Sequence, residues 1–201
     1  MNTGSKPSTS WLQSRTLSLV NAVWSTQLGK ITAYKGRNEV DRVKLLFRQV
    51  VKSLYDPLAR TLFAEAVQGC EARNSLCEIE AVYWYVKNHV RYTGDTRSLD
   101  QMQSLRRTME LGIGDCDCSS IAVCALLSAG GHRCGVMILA EGGEEWTHVL
   151  PVVEYPVNDV TPQNRRIIAL DTTVPEAYPG WLPAGHEKMK PRIFWMQVDS
   201  E

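Results

Sequence analysis

Cys116, His148 and Asp171 are the residues of this sequence whose types and order fit covalent chemistry on a carbonyl. A thiolate attacks the carbon. An imidazole takes the thiol proton and returns it to the leaving group, and a carboxylate orients the imidazole. Each residue falls at the edge of an expected element. Cys116 follows Gly112-Ile113-Gly114-Asp115 and opens an apolar stretch. A helix start at that point offers partial positive charge and free N–H groups, which favour a thiolate and hold a developing oxyanion. His148 lies in a run rich in β-branched residues, and Asp171 follows Ile167-Ile168-Ala169-Leu170. Singly, each has a plain structural reading: a small buried hydrophobe, a half-buried strand histidine, a turn or cap carboxylate. The pattern becomes specific because all three occur in that order, at element edges, in the same half of the chain.

The elements that must position these groups follow from periodicity. From about Asp117 to Ala129 the apolar residues Ile121, Ala122, Val123, Cys124, Ala125, Leu126 and Leu127 cover every side of a helix, so the helix is expected to be buried. Gly130-Gly131 ends it. Val136–Ala140, Trp146–Glu154 and Ile167–Leu170 read as strands joined by short links, with Arg192–Val198 as a fourth. In the second strand Trp146, His148, Leu150 and Val152 share one face, and packing of that face on the buried helix would bring the imidazole to the helix start. Upstream, residues 1–10 read as a disordered tail. Trp11 to about Cys77 is helical in pattern, with Val40, Val43, Phe47, Val50 and Leu54 on one stripe and Pro57 opening a further helix. Leu76, Ile79, Tyr83, Val86 and Val90 continue the rhythm to a turn at Thr93-Gly94-Asp95, and Asp100–Glu110 reads as a short polar helix. The expected class is α+β, helices first and an antiparallel sheet after. Its parts are a tail over 1–10, a helical region over 11–75 and a domain over 76–201.

Composition narrows the function. The 201 residues are 44% hydrophobic, with 22 Lys and Arg against 22 Asp and Glu. A balanced charge argues against nucleic-acid binding. The run Ile121–Leu127 is far short of the roughly 20 residues of a membrane span, and the polar start has no signal-peptide core, so neither a membrane partner nor secretion is expected. Without that signal the six cysteines are expected as thiols. Their spacings are not those of a zinc knuckle, and no metal or cofactor is expected, although a zinc site from Cys116, Cys118 and His148 is a third idea. Cys116 and Cys118 lie roughly 200° apart round a helix, so only one faces a given histidine. His132, after Gly130-Gly131, reads as a surface residue, His186 as part of a loop-like tail and His89 as a helix-end residue. Gly112-Ile113-Gly114 lacks the third glycine and preceding strand of a dinucleotide fingerprint.

Gly114-Asp115-Cys116-Asp117, the helix ending Leu126-Leu127-Ser128-Ala129-Gly130, Thr147-His148-Val149 and Ala169-Leu170-Asp171-Thr172-Thr173 together resemble the transglutaminase-like superfamily. The nearest resemblance is to its cysteine proteases encoded by bacteriophages and prophages. Val90-Arg91-Tyr92, Gln101 and Gln103 before the Gly-Asp-Cys, and Pro179-Gly180-Trp181 add to it. The likeness runs from about Ile79 to Trp181, half the chain. It implies a papain-like core with a Cys116-His148-Asp171 triad, Cys116 rather than Cys118 as nucleophile, Gln103 as oxyanion donor and Trp146 lining the cleft. It further implies a protein or peptide substrate, a thioester intermediate, and residence in a bacterial host's cytoplasm or a phage virion. The rival reading is a catalytically silent structural or adaptor part of the virion, with other phage structural proteins as partners.

Overall fold

The computed structural model describes residues 31–34, 39–94, 100–140, 147–156 and 166–196. The elements are β1 (Ile31–Tyr34), α1 (Glu39–Leu54), α2 (Pro57–Ala66), α3 (Ser75–His89), β2 (Arg91–Tyr92), β3 (Asp100–Gln103), α4 (Leu105–Leu111), β4 (Ile113–Gly114), α5 (Cys116–Ala129), β5 (Cys134–Leu139), β6 (His148–Tyr155), β7 (Arg166–Ala169) and β8 (Arg192–Trp195). The fold is mixed: among the described residues five α-helices, with α5 at the centre, lie on a four-stranded antiparallel sheet of order β7-β6-β5-β8. No helix among the described residues is long and apolar enough to cross a membrane.

Helices α2 to α5 each start where a short polar side chain satisfies a free N–H. Asp56 accepts from Leu58 at 3.0 Å, Asn74 from Cys77 at 3.1 Å, Ser104 from Arg107 at 3.3 Å and Asp115 from Cys118 at 2.8 Å. Helix α5 is buried on all sides from Asp117 to Leu127. Val43, Leu46 and Val50 of α1, Leu58 and Leu62 of α2, and Ile79, Val82 and Val86 of α3 share one core with it. The sheet closes that core with Val136, Ile138, Val149 and Val153. On the opposite face of the sheet Met137, Leu139, Leu150, Val152 and Ala169 form a smaller cluster, covered by Leu182, Met189, Ile193 and Trp195.

Several expectations need correction. The stretch from Trp11 is not helical throughout: β1 pairs antiparallel with β3, Ile31 opposite Gln103 and Tyr34 opposite Asp100. The same pairing replaces the first turn of the polar helix expected over Asp100–Glu110, and Ser104 moves that helix's start to Leu105. Cys70 and Cys77 are bridged, with Cα atoms 5.7 Å apart, where thiols were expected. The connection between two packed helices reverses the chain and brings them together. Cys116, Cys118, Cys124 and Cys134 are free. His132 is not a surface residue. It is 5% exposed, and its Nε2 lies 2.8 Å from Glu78 Oε2, because Gly131 at φ 85° turns the chain back under α3. The face of β6 is also reversed. Val149 and Val153 pack on the helical side, while Leu150 and Val152 face away from it. The tail over 1–10 and the pattern over 11–30 lie outside the described residues.

Asp56 ties the helical layer together. Its carboxylate caps α2 and takes two hydrogen bonds from Arg106 of α4, Nε–Oδ2 and Nη2–Oδ1, each 2.7 Å. Burial works against its ionisation, but the Arg106 hydrogen bonds and charge and the Leu58 N–H outweigh it and hold the pKa below 3.8. Asp56→Ala is expected to lower the unfolding free energy by about 1–3 kcal/mol at pH 7. A carboxylate with a lowered native pKa stabilises above its unfolded value, and this is lost as pH falls through the native value. The gap between variant and wild type, measured by denaturant unfolding, should therefore narrow below pH 3.8. A gap independent of pH would refute the ion pair.

Candidate active site

Cys116 is the first residue of α5. Gly114, two residues earlier, is required there: a Cβ would stand 2.7 Å from Cys118 Cβ and 3.5 Å from Thr108 Cγ2. Its strand, β4, is held parallel to β2, and the Thr93 N–H donates to the Gly114 carbonyl at 2.9 Å. The segment leading into the cysteine is therefore fixed on both sides. Cys116 is half-buried against the main core.

His148 is the first residue of β6, and Asp171 lies two residues past the end of β7. The pairing of Val152 with Ala169 continues through Leu170 N–H donating to the Pro151 carbonyl at 2.9 Å. Carried one residue further, it sets Asp171 opposite Leu150, diagonal to His148 on the same face of the sheet. The outcome is a 2.7 Å contact from His148 Nε2 to Asp171 Oδ2. Asp171 is 1% exposed. Its other oxygen, Oδ1, accepts from Thr173 N–H at 2.9 Å and Thr173 Oγ1 at 2.7 Å. Burial would raise its pKa, but the hydrogen bonds and charge of His148 and the two bonds from Thr173 hold it below the ordinary value. An ionised Asp171 takes the proton of Nε2, so a neutral His148 presents Nδ1 as its base.

Cys116 reaches the same end of β6 by a route the sequence did not suggest. The backbone N–H of Val149, the residue after His148, points at the Cys116 sulfur, as does that of Asp117. It is the strand's peptide edge, not its helix-facing side, that brings the thiol to the His148 position. These donors and the helix start favour a thiolate. Burial is the larger effect and pushes the thiol well above its ordinary value, with the Asp117 and Asp115 carboxylates adding to it. At neutral pH Cys116 is therefore a thiol, where the helix-start argument alone favoured a thiolate.

Cys118 is 1% exposed. Its sulfur accepts the Gln103 N–H at 3.4 Å. Gln103 ends β3 and is 9% exposed, and its amide oxygen is buried without a hydrogen-bond partner. The sequence placed Gln103 near the cysteine, and the structure puts its backbone N–H against Cys118, two residues on from Cys116. Trp146 and Gln101's side chain lie outside what is described. Among the described residues no group of three or more His, Cys, Asp or Glu is placed to hold a metal ion, and the set Cys116, Cys118, His148 does not assemble. Sequence reasoning missed two contributors to this region. One is Arg42 of α1, whose Nη2 is 3.9 Å from Asp117 Oδ2. The other is the pair Tyr83 and Lys87 of α3, beside the Asp171 loop. Tyr83 read only as part of the apolar stripe, and Arg42 and Lys87 only as polar residues beside one.

No protein-family model and no curated protein matches the chain. Among solved structures it is similar to the crystal structure of a putative protease from Parabacteroides distasonis, at 10% identity and a TM-score of 0.43. The match covers 63% of this chain and 29% of that one, so the chain spans under a third of that protein's length. A likeness so distant assigns neither site nor activity.

Proposed function

We propose that the chain is a cysteine-dependent amide-bond hydrolase or acyltransferase. It is read as a transglutaminase-like cysteine protease of phage origin, with a protein or peptide substrate. The observation that carries the reading is the buried Asp171 carboxylate on His148 Nε2, at the end of β6 where the Val149 N–H points at the Cys116 sulfur.

Burial and the Asp117 and Asp115 carboxylates hold Cys116 as a thiol, and the neutral form of the His148 imidazole is the base that this thiol needs. As the sulfur attacks a substrate carbonyl, its proton passes to His148 Nδ1, and Asp171 stabilises the imidazolium. The imidazolium charge then offsets the two flanking carboxylates, so the thiolate forms only as it reacts. The oxyanion is met by backbone N–H groups at the start of α5 and by the Gln103 amide. Collapse breaks the C–N bond, the amine leaves with the proton from His148, and a thioester to Cys116 remains. Water or an amine, deprotonated by His148, attacks the thioester and releases the thiol.

The rival reading is a silent structural or adaptor part of a virion. One observation favours it: a scaffold needs no activated thiol, and burial with Asp117 and Asp115 holds this one neutral.

Intact mass spectrometry with a panel of peptidyl vinyl sulfones separates them. One covalent adduct should form on the wild type, vanish in Cys116→Ala, persist in Cys118→Ala, and form about 10²–10⁴-fold more slowly in His148→Ala. An adduct that survives in Cys116→Ala and vanishes in Cys118→Ala would overturn the choice of nucleophile. No adduct from any member of the panel would leave the structural reading in front.

Alkylation by iodoacetamide tests the resting state. At pH 7 Cys116 should react more slowly than a free thiol of ordinary pKa 9.0, and its rate should still be rising with pH above that value. A rate already at its plateau below pH 8 would mean a preformed thiolate and refute the resting thiol.

A further inference from the structure

The strand pairing that brings Asp171 to His148 has its last hydrogen bond at Leu170. Asp171 begins a loop that leaves β7 and returns to it, where the Gly180 N–H donates to the Ala169 carbonyl at 2.8 Å. Inside this loop two side chains of α3 bind successive backbone carbonyls. Lys87 Nζ donates to the Val174 carbonyl at 2.9 Å, to the Ala177 carbonyl at 2.5 Å and to Tyr83 Oη at 3.0 Å, which uses its three protons. Tyr83 Oη has one proton and two acceptors in reach, the carbonyls of Asp171 at 3.0 Å and Ala177 at 2.6 Å. The Ala177 carbonyl is the nearer and can accept from Lys87 and Tyr83 together, so the hydroxyl spans the first and last carbonyls of the loop. Tyr83 is fully buried, and its ring packs edge-on against Trp84 at 4.9 Å. The Lys87 ammonium lies 5.3 Å from the Tyr83 ring centre and 5.5 Å from that of Trp84.

We propose that Tyr83 and Lys87 are positioning residues for the His148–Asp171 pair: they clamp the Asp171–Ala177 loop to α3 and so fix the carboxylate that selects the imidazole tautomer. Helix α3 shares its core with α5, so the clamp also refers Asp171 to the helix that carries Cys116. The chemical sense of the clamp rests on the acyl-transfer reading, but its geometric part does not. A carboxylate in a free loop moves off Nε2, and the proton of a neutral imidazole then redistributes between its nitrogens. A displacement of about 1 Å in such a group costs roughly 10²-fold in rate.

The test reads the tautomer of His148 directly, from the two ring nitrogen shifts of histidine-labelled protein at a pH where the imidazole is neutral. Tyr83→Phe removes only the hydroxyl. Lys87→Met keeps the apolar stem and removes the donors. Tyr85→Phe is the control, since it removes a hydroxyl from the same helix that meets Glu65 at 3.3 Å and not the loop. The expected result is a wild type held as the Nε2–H form. The tautomer ratio should fall about tenfold in Tyr83→Phe and in Lys87→Met and not change in Tyr85→Phe. An unchanged ratio in both test variants overturns the proposal, and so does an equal fall in the control, which would mean general loosening of α3. Failure of the acyl-transfer reading is seen separately. A wild type that takes no vinyl sulfone adduct but shows these tautomer shifts has the clamp without that chemistry. A wild type that takes the adduct at the same rate as Tyr83→Phe and Lys87→Met, with unmoved tautomers, has the chemistry without the clamp.

Discussion

A helix with no polar side must be covered all round, and this requirement organises the molecule. Helix α5 carries Ile121 to Leu127 in unbroken sequence, and every one of these residues is at most 2% exposed or fully buried. A single sheet covers one flank only, so the remaining flanks are taken by α1, α2, α3 and α4. Close approach is needed at both ends. At the C-terminal end a Cβ on Gly130 would stand 2.2 Å from the Phe63 ring, and at the N-terminal end Gly114 meets Cys118 in the same way. The position of Cys116 is thus set by core packing, which tolerates displacement poorly, and not by a loop.

The same end of α5 carries opposing electrostatic demands. A helix start attracts carboxylates, and Asp115 as cap and Asp117 in the first turn answer that attraction. Their negative charge lies beside the one sulfur that would have to become negative. The helix dipole is worth about 0.3–1 kcal/mol at such a position. Two full charges and the loss of water around the sulfur outweigh it, which is why the thiol pKa moves up rather than down. Arg42 offsets part of the Asp117 charge from α1. A site of this kind favours charge that appears with its partner over charge held in waiting.

Much of the fold is legible in the residues because the signals are local. The all-round apolarity of Ile121–Leu127 predicts a buried helix, and the four strands fall within a few residues of their expected limits. The candidate site is legible for the same reason: Cys116, His148 and Asp171 sit where elements begin or end. What fails is non-local. The β1–β3 pairing joins segments about 70 residues apart, and nothing in the polar run Asp100–Gln103 announces its partner. The face of β6 fails because Val149 and Val153 are as apolar as Leu150 and Val152, and both sides of the sheet are covered. Alternation then carries no information about which side holds the helix. The Cys70–Cys77 bridge and the buried His132–Glu78 pair likewise depend on how two helices pack, which spacing alone does not determine.

The order of elements along the chain has a consequence for how the protein is made. Among the described residues the five α-helices are synthesised before any strand of the four-stranded sheet, and β8, which completes it beside β5, is the last of its strands. As α5 leaves the ribosome, the side destined for Val136, Ile138, Val149 and Val153 has no cover. A sticky apolar surface is therefore exposed for as long as translation takes to deliver β5 and β6, at roughly 5–20 residues per second. The central helix that makes the finished molecule rigid makes the unfinished one a client for chaperones, and arrest of synthesis before His148 would leave an aggregation-prone fragment.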